Sequence, residues 1–253
     1  MLKDVFSPFQ SLFHTVKTIA SKDMPGVFTR SAFVKTAKRA ITVLSAILLA
    51  LRLDAAYSQG VGRALEPNLP LFGYKESEHA NLKMFPQWIG VLKRHAKDDL
   101  KDKDCESPAF NSCHLRNWQR FLSGLRGKPL MEQIVAVNDY GNQKNYVLDS
   151  DNYGVNDYWA TPREFLYNDG DCEDFAIFKY WSLRQLGFSP DSLRIVVLQD
   201  NNLGIGHAIL AVYLNGDALI LDNQAQEVVS QKQITHYVPV YSINEKHWWM
   251  HIP

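Results

Sequence analysis

The sequence predicts an α+β fold in which helices come first, one buried helix follows, and an antiparallel sheet closes the chain. Three observations carry that prediction. Residues 172–187, "CEDFAIFKYWSLRQLG", place apolar side chains around much of a helix circumference, which suits a helix enclosed by protein. Four later segments are short and rich in β-branched residues. Two of them are joined by Asn215-Gly216, a dipeptide suited to the left-handed positions of a two-residue hairpin turn.

The chain has 253 residues, 27 basic and 27 acidic, and is 46% hydrophobic. That length admits one large or two small domains, and zero net charge removes the usual electrostatic reason to expect nucleic acid as a partner. The N-terminal region has its own character. Lys35, Lys38 and Arg39 precede the apolar run "AITVLSAILLALRL" at 40–53, and small residues follow at 55–58. This order reads as a secretory signal cut after Ala56 or Ser58. The run is shorter than the ~20 apolar residues of a membrane span, and Arg52 interrupts it; an uncleaved anchor is the alternative. Met24 offers a second possible start. The expected organisation is an N-terminal extension and signal over 1–58, then a single domain over 59–253, with a helical part at about 85–138 and a core at about 158–251. Export bears on the three cysteines: Cys105 and Cys113 could close a short disulfide loop and leave Cys172 unpaired, or all three are free thiols.

In chain order, "LEPNLPLFGYKESEHAN" (65–81) is punctuated by Pro and Gly and reads as irregular. Residues 87–100 and 112–126 have helical spacing; Trp118, Leu122 and Leu125 share one face, and Gly127 with Pro129 ends the second segment. "LMEQIVAVND" (130–139) predicts another helix, and the Asn-, Asp-, Tyr- and Gly-rich 138–158 a long structured loop. In "TPREFL", Thr161 caps a helix, Pro162 suits its first position, and Glu164 completes a capping box. The buried helix from Cys172 stops at Gly187 and Pro190. Strands are expected at 193–199, 207–214, 218–223 and 238–243. Trp248 and Trp249 read as packed core, with substrate or partner contact as the alternative.

The hairpin allows a register to be worked out. With Asn215-Gly216 as the loop, Leu214 pairs with Asp217, Ile209 with Asp222, and His207 with Gln224. His207 and Asp222 then lie diagonally on one face, within reach of each other. Cys172 opens the buried helix, where unpaired amides and the helix dipole favour a thiolate. A papain-like arrangement needs a helix-borne Cys facing a sheet-borne His held by a third polar group, and Cys172, His207 and Asp222 occur in that order. Taken singly, each has a plainer reading: a small core hydrophobe, a satisfied core imidazole, a strand end.

The acids around Cys172 oppose its ionisation. Asp171, Glu173 and Asp174 can be first-turn acids that complement the dipole. Yet Asp169, Asp171 and Glu173 also offer hard oxygen donors at alternating positions, a set suited to Ca²⁺ if carbonyls, waters or Asp149, Asp151, Asn156 and Asp157 completed the shell. Such an ion would cancel the penalty on the thiolate. It would not be an EF-hand, since the sixth position is Asp174 and the twelfth Tyr180.

The blocks "DYWATPREFLYNDGDCEDFAIFKYWSLRQLGF", "LRIVVLQDNNLGIGHAILAVYLNG", "LILDN" and "HYVPVYSINEKHWW" resemble the bacterial transglutaminase-like cysteine proteinases, and among them the periplasmic calcium-dependent proteases that release giant biofilm adhesins. The resemblance runs from about 113 to 251. It implies a papain/transglutaminase-like core, with Cys172 as nucleophile, His207 as general base and Asp222 as the orienting residue. It also implies calcium held at Asp169, Asp171 and Glu173, with Asp174 a further candidate. The implied substrate is the N-terminal region of a large secreted adhesin, the implied location the periplasm, and the implied partner an inner-membrane receptor for cyclic di-GMP that sequesters the protease. Two other readings of the residues stand beside this one: a transglutaminase-like acyltransferase or amidase, and a non-catalytic calcium-binding module.

Overall fold

The computed structural model describes residues 69–98 and 113–253, which belong to the unit spanning Arg63–Pro253. Among the described residues, β1 (Lys75–His79), β2 (Leu193–Asp200), β3 (Ile205–Leu214), β4 (Asp217–Leu221), β5 (Val229–Ser230), β6 (Tyr237–Ile243) and β7 (Trp248–Ile252) form one sheet in the order β1-β7-β6-β2-β3-β4-β5. Every neighbouring pair is antiparallel. The helices are α1 (Pro86–His95), α2 (Cys113–Leu125), α3 (Leu130–Gly141), α4 (Asp149–Asn152), α5 (Pro162–Asn168) and α6 (Cys172–Gln185).

α6 lies across one face of the sheet against β2 and β3, with α3 and α5 packed on it in turn. It is buried without interruption from Glu173 to Tyr180. Phe175, Ile177, Phe178 and Leu183 join Trp118, Ile134 and Val137 from the helices and Leu193, Ile195, Leu210 and Val212 from the sheet in one core. Each fully buried side chain of this size contributes about 1.5–3 kcal/mol. The opposite sheet face carries a smaller cluster, Val196, Leu198, Ile209, Ala211, Tyr213, Ile220 and Tyr237, covered by Leu71. Residues alternate between these two cores along β2 and β3, as strand geometry requires.

The Asn215-Gly216 turn forms as its chemistry demands, with φ of 53° and 75°. The α5 capping box also forms: Glu164 N–H donates to Thr161 Oγ1 at 3.3 Å and Thr161 N–H to Glu164 Oε2 at 2.7 Å. Trp248 and Trp249 are buried in β7, as the core reading expects.

Three expectations are corrected. The stretch read as irregular contains β1, which pairs with β7 at the sheet edge. Its sequence, "KESEH", has no apolar alternation; beside its backbone ladder to β7 it makes a buried charged contact. Arg194 Nη1 donates to Glu76 Oε2 at 2.7 Å, and the guanidinium carbon lies 4.6 Å from the Tyr213 ring centroid and 3.7 Å from that of Trp249. The expected loop at 138–158 holds the end of α3 and the whole of α4. α1 ends at His95, short of residue 100. Cys113 is disulfide-bonded and Cys172 is a free thiol. Cys105, the signal segment expected over 1–58 and its cleavage site lie outside the described residues.

Candidate active site

Between α5 and α6 the chain must reverse in three residues. Asp169 takes a left-handed φ of 61°, and Gly170 then passes so close to α6 that a Cβ there would lie 2.2 Å from Asp174 Oδ2. Asp171 is the N-cap, and its N–H donates to Asp174 Oδ2 at 3.4 Å. Cys172 therefore starts the helix with its own amide among the unpaired donors of the first turn. Its half-buried thiol donates to Glu173 Oε2 at 3.3 Å. Burial pushes this thiol up, as do the charges of Glu173 and Asp171, while the Ala208 amide, which hydrogen-bonds the sulfur, pulls it down. That last contact places Cys172 beside β3, one residue from His207.

The β3–β4 ladder runs from Leu214↔Asp217 to Leu210↔Leu221, in the register expected from the turn. Continuing it past the end of β4 brings His207 diagonally to Asp222. Both are buried, and His207 Nε2 lies 2.9 Å from Asp222 Oδ1. The carboxyl also accepts from Gln224 N–H at 2.9 Å, on Oδ1, and from Tyr237 O–H at 2.6 Å, on Oδ2. Burial would raise the Asp222 carboxyl, but the His207 hydrogen bond and charge, with Tyr237 and Gln224, hold it below the usual range. As a carboxylate, Asp222 can only accept, so His207 Nε2 donates to it, and in the neutral imidazole Nδ1 is then the acceptor. Gln224 Nε2 lies 3.5 Å from that Nδ1.

A cluster of carboxylates lies next to the thiol. Asp149, Asp157 and Glu173 form one group with ligand atoms within 4.8 Å of one another; Asp149, Asp171 and Asp174 form a second, and Asp171, Cys172 and Glu173 a third. Asp149 is pushed up to about 6, chiefly by burial. Glu173 is pushed up by burial and by Asp171. Asp174 is raised well above its ordinary range by burial, although it accepts from Ala160 N–H at 2.7 Å. Asp149 Oδ1 and Asp171 Oδ1 are buried with no hydrogen-bond partner. Crowded hard oxygens with surplus negative charge and orphaned lone pairs fit a cation of the Ca²⁺ type. Asp169 stands apart from these groups. Its Oδ1 lies 2.6 Å from Lys144 Nζ, and its Oδ2 accepts from Asn145 Nδ2 at 2.8 Å.

The sequence profile described as "Bacterial transglutaminase-like cysteine proteinase BTLCP" matches residues 105–253, more than half of the chain. The chain belongs to this family. Solved structures agree. Legionella pneumophila LapG is 34% identical, with a TM-score of 0.51, over 55% of this chain and 78% of that one. Its calcium-bound form is 30% identical, with a TM-score of 0.52, over 64% of this chain and 86% of that one. No curated protein matches. The fold is thus that of a LapG-type cysteine proteinase: a Cys-bearing helix packed on an antiparallel sheet that carries His207, with Asp222 directly after β4.

Of the residues singled out from sequence, the structure brings His207 and Asp222 into direct contact and sets Cys172 against the neighbouring Ala208 amide. It gathers Asp171, Glu173 and Asp174 with Asp149, which opens α4, and Asp157, which follows it, and it pairs Asp169 with Lys144 instead. The reason is the left-handed turn at Asp169, which aims its carboxylate back toward the loop at 144–145. Sequence reasoning missed Tyr237 and Asn142, which hold Asp222 through its carboxylate and its carbonyl. Nothing local marks either one, since Tyr237 reaches Asp222 only through the β2–β6 pairing.

Proposed function

We propose that this LapG-type proteinase is a periplasmic, calcium-dependent endopeptidase that uses Cys172 as nucleophile, His207 as general base and Asp222 as orienting group. One observation carries the reading: a buried imidazole whose Nε2 is committed to a carboxylate lies one residue from the amide that touches the cysteine sulfur. In this chemistry His207 Nδ1 takes the Cys172 proton as the sulfur attacks a backbone carbonyl. The Cys172 amide at the α6 N-terminus donates to the developing oxyanion. His207 then returns the proton to the departing amine, and water, deprotonated by the same Nδ1, hydrolyses the thioester.

Asp171, Glu173 and Asp174, with Asp149 and Asp157, would hold the calcium ion, and the calcium-bound Legionella relative supports that choice of metal. When bound, the ion supplies positive charge that offsets the carboxylates around the thiol. The family resemblance supports the N-terminal region of a large secreted adhesin as substrate, biofilm attachment as the process controlled, and an inner-membrane cyclic di-GMP receptor as the sequestering partner. The test is to incubate the purified protein with the N-terminal region of a co-encoded giant adhesin, in Ca²⁺ and in EGTA, beside Cys172→Ala. A discrete cut that needs both Ca²⁺ and Cys172 is expected. An intact adhesin segment in Ca²⁺ overturns the substrate assignment, and incorporation of an added amine in place of a free carboxyl terminus makes the enzyme a transferase.

A further inference from the structure

Lys179, midway along α6, takes no part in the chemistry above, yet it is fully buried and its Nζ has no hydrogen-bond partner. Its stem runs against the end of α3, where a Cβ on Gly141 would lie 3.1 Å from Lys179 Cε. On either side of Gly141, two asparagines spend their amide nitrogens on the turn that follows β4. Asn138 Nδ2 donates to Gln226 O at 2.9 Å. Asn142 Nδ2 donates to Asp222 O at 2.9 Å and to Ala225 O at 3.1 Å. The oxygens of the same two amides, Asn138 Oδ1 and Asn142 Oδ1, are buried with no partner. A terminal amine with unmet donors and two unmet acceptors thus lie in the layer between α6, α3 and the turn.

Each of these groups is costly to bury alone, and together they are complementary through an enclosed water. The charges that act on Lys179 are Asp222 at the end of β4 and Asp139 on α3, both attractive. Every hydrogen bond that Asn142 makes with the turn is to a carbonyl, so Asn142 holds the turn only while its amide keeps one orientation. A donor presented to its Oδ1 fixes that orientation.

Resting on the triad proposed above, we infer that Lys179 is a positioning residue: its amino group, with N–H donors for the amide oxygens of Asn138 and Asn142, locks the turn that carries Asp222 and so aims His207. Displacements of about 1 Å in a catalytic group cost on the order of a hundredfold in rate, so a buried prop can matter without touching substrate. The experiment compares the full-length protein with Lys179→Met and Lys179→Leu, neither of which carries an N–H donor. Two readouts are taken: steady-state cleavage of the adhesin segment, and ¹⁵N shifts of the His207 ring. The expected result is a fall in kcat of about tenfold or more with KM within about twofold, and a His207 ring that no longer holds the single Nε2–H form. Wild-type kcat with a single ring tautomer in whichever variant folds overturns the assignment. Should the wild-type protein leave the adhesin segment uncut, the proteolytic reading fails on its own, and the His207 ring signal still decides the role of Lys179.

Discussion

Replacing Asp222 by Asn and by Ala separates charge from geometry at the imidazole. Two donors converge on Asp222 Oδ1, His207 Nε2–H and the Gln224 amide, each at 2.9 Å. In Asp222→Asn the amide oxygen must occupy that position, because an NH₂ there would face two N–H groups. The nitrogen then falls where Tyr237 O–H now donates, and the hydroxyl can turn to accept. The imidazole tautomer is preserved, and what is lost is the difference between a charge-assisted and a neutral hydrogen bond, about 1–2 kcal/mol. That corresponds to a ~5–30-fold fall in kcat/KM, with stability changed by under about 1 kcal/mol. Asp222→Ala instead leaves three donors unmet, at about 1–3 kcal/mol for each that stays dry. It should lower stability by roughly 3–5 kcal/mol and the rate by on the order of a thousandfold, because the ring is free to take either tautomer. The assays are kcat/KM on the adhesin segment, urea unfolding, and the ¹⁵N shifts of the His207 ring. A wild-type rate in Asp222→Ala, or an Asn variant as slow as the Ala variant, would refute the reasoning.

Three further outcomes are expected. Ca²⁺ at a hundred times its dissociation constant should stabilise the protein by about 2.7 kcal/mol in thermal unfolding and EGTA should reverse this, whereas Glu173→Gln should blunt the response; no shift in the wild type removes the ion from the carboxylate cluster. Gly170→Ala should lose about 1–3 kcal/mol and weaken the Ca²⁺ response, since its Cβ would displace the buried Asp174 carboxylate; a neutral effect on both would mean the turn yields freely. Lys179 is pulled down to about 7 by burial, against 10.5 for an ordinary lysine. Between those values the unfolded chain binds a proton that the folded chain does not, so this group makes stability rise with pH, by up to about 1.4 kcal/mol per unit. Lys179→Met should therefore be the more stable protein at pH 7, with its advantage shrinking toward pH 10; parallel curves would show that Lys179 keeps its proton throughout.

Much of the fold was legible because it is written in local chemistry. The capping box at Thr161 and Glu164, the Pro at the first position of α5, the all-round apolar α6 and the Asn215-Gly216 turn each act within a few residues. The turn also carried non-local information, since a two-residue loop sets the register of both strands and so placed His207 beside Asp222. β1 was illegible because its partners are distant in sequence: it pairs with β7, and Glu76 meets Arg194, 118 residues away. The calcium-type cluster was half legible. Asp171, Glu173 and Asp174 ride on one helix start, and Asp149 and Asp157 stood among four further candidates at 149–157, of which the folded chain brings these two to the cluster.

The residues in order were enough to determine which helix is buried, where it begins, how the hairpin pairs, and that a thiol, an imidazole and a carboxylate come in a workable sequence. Only the tertiary structure decided which acids crowd the thiol, why Asp169 turns away to Lys144, and that Tyr237 holds the Asp222 carboxylate, Asn142 its carbonyl, with Lys179 buried nearby. Hydrogen bonds and turn preferences act over one or two turns of chain and leave their mark in spacing. Electrostatics and burial act through space, and they exist only once distant segments have met.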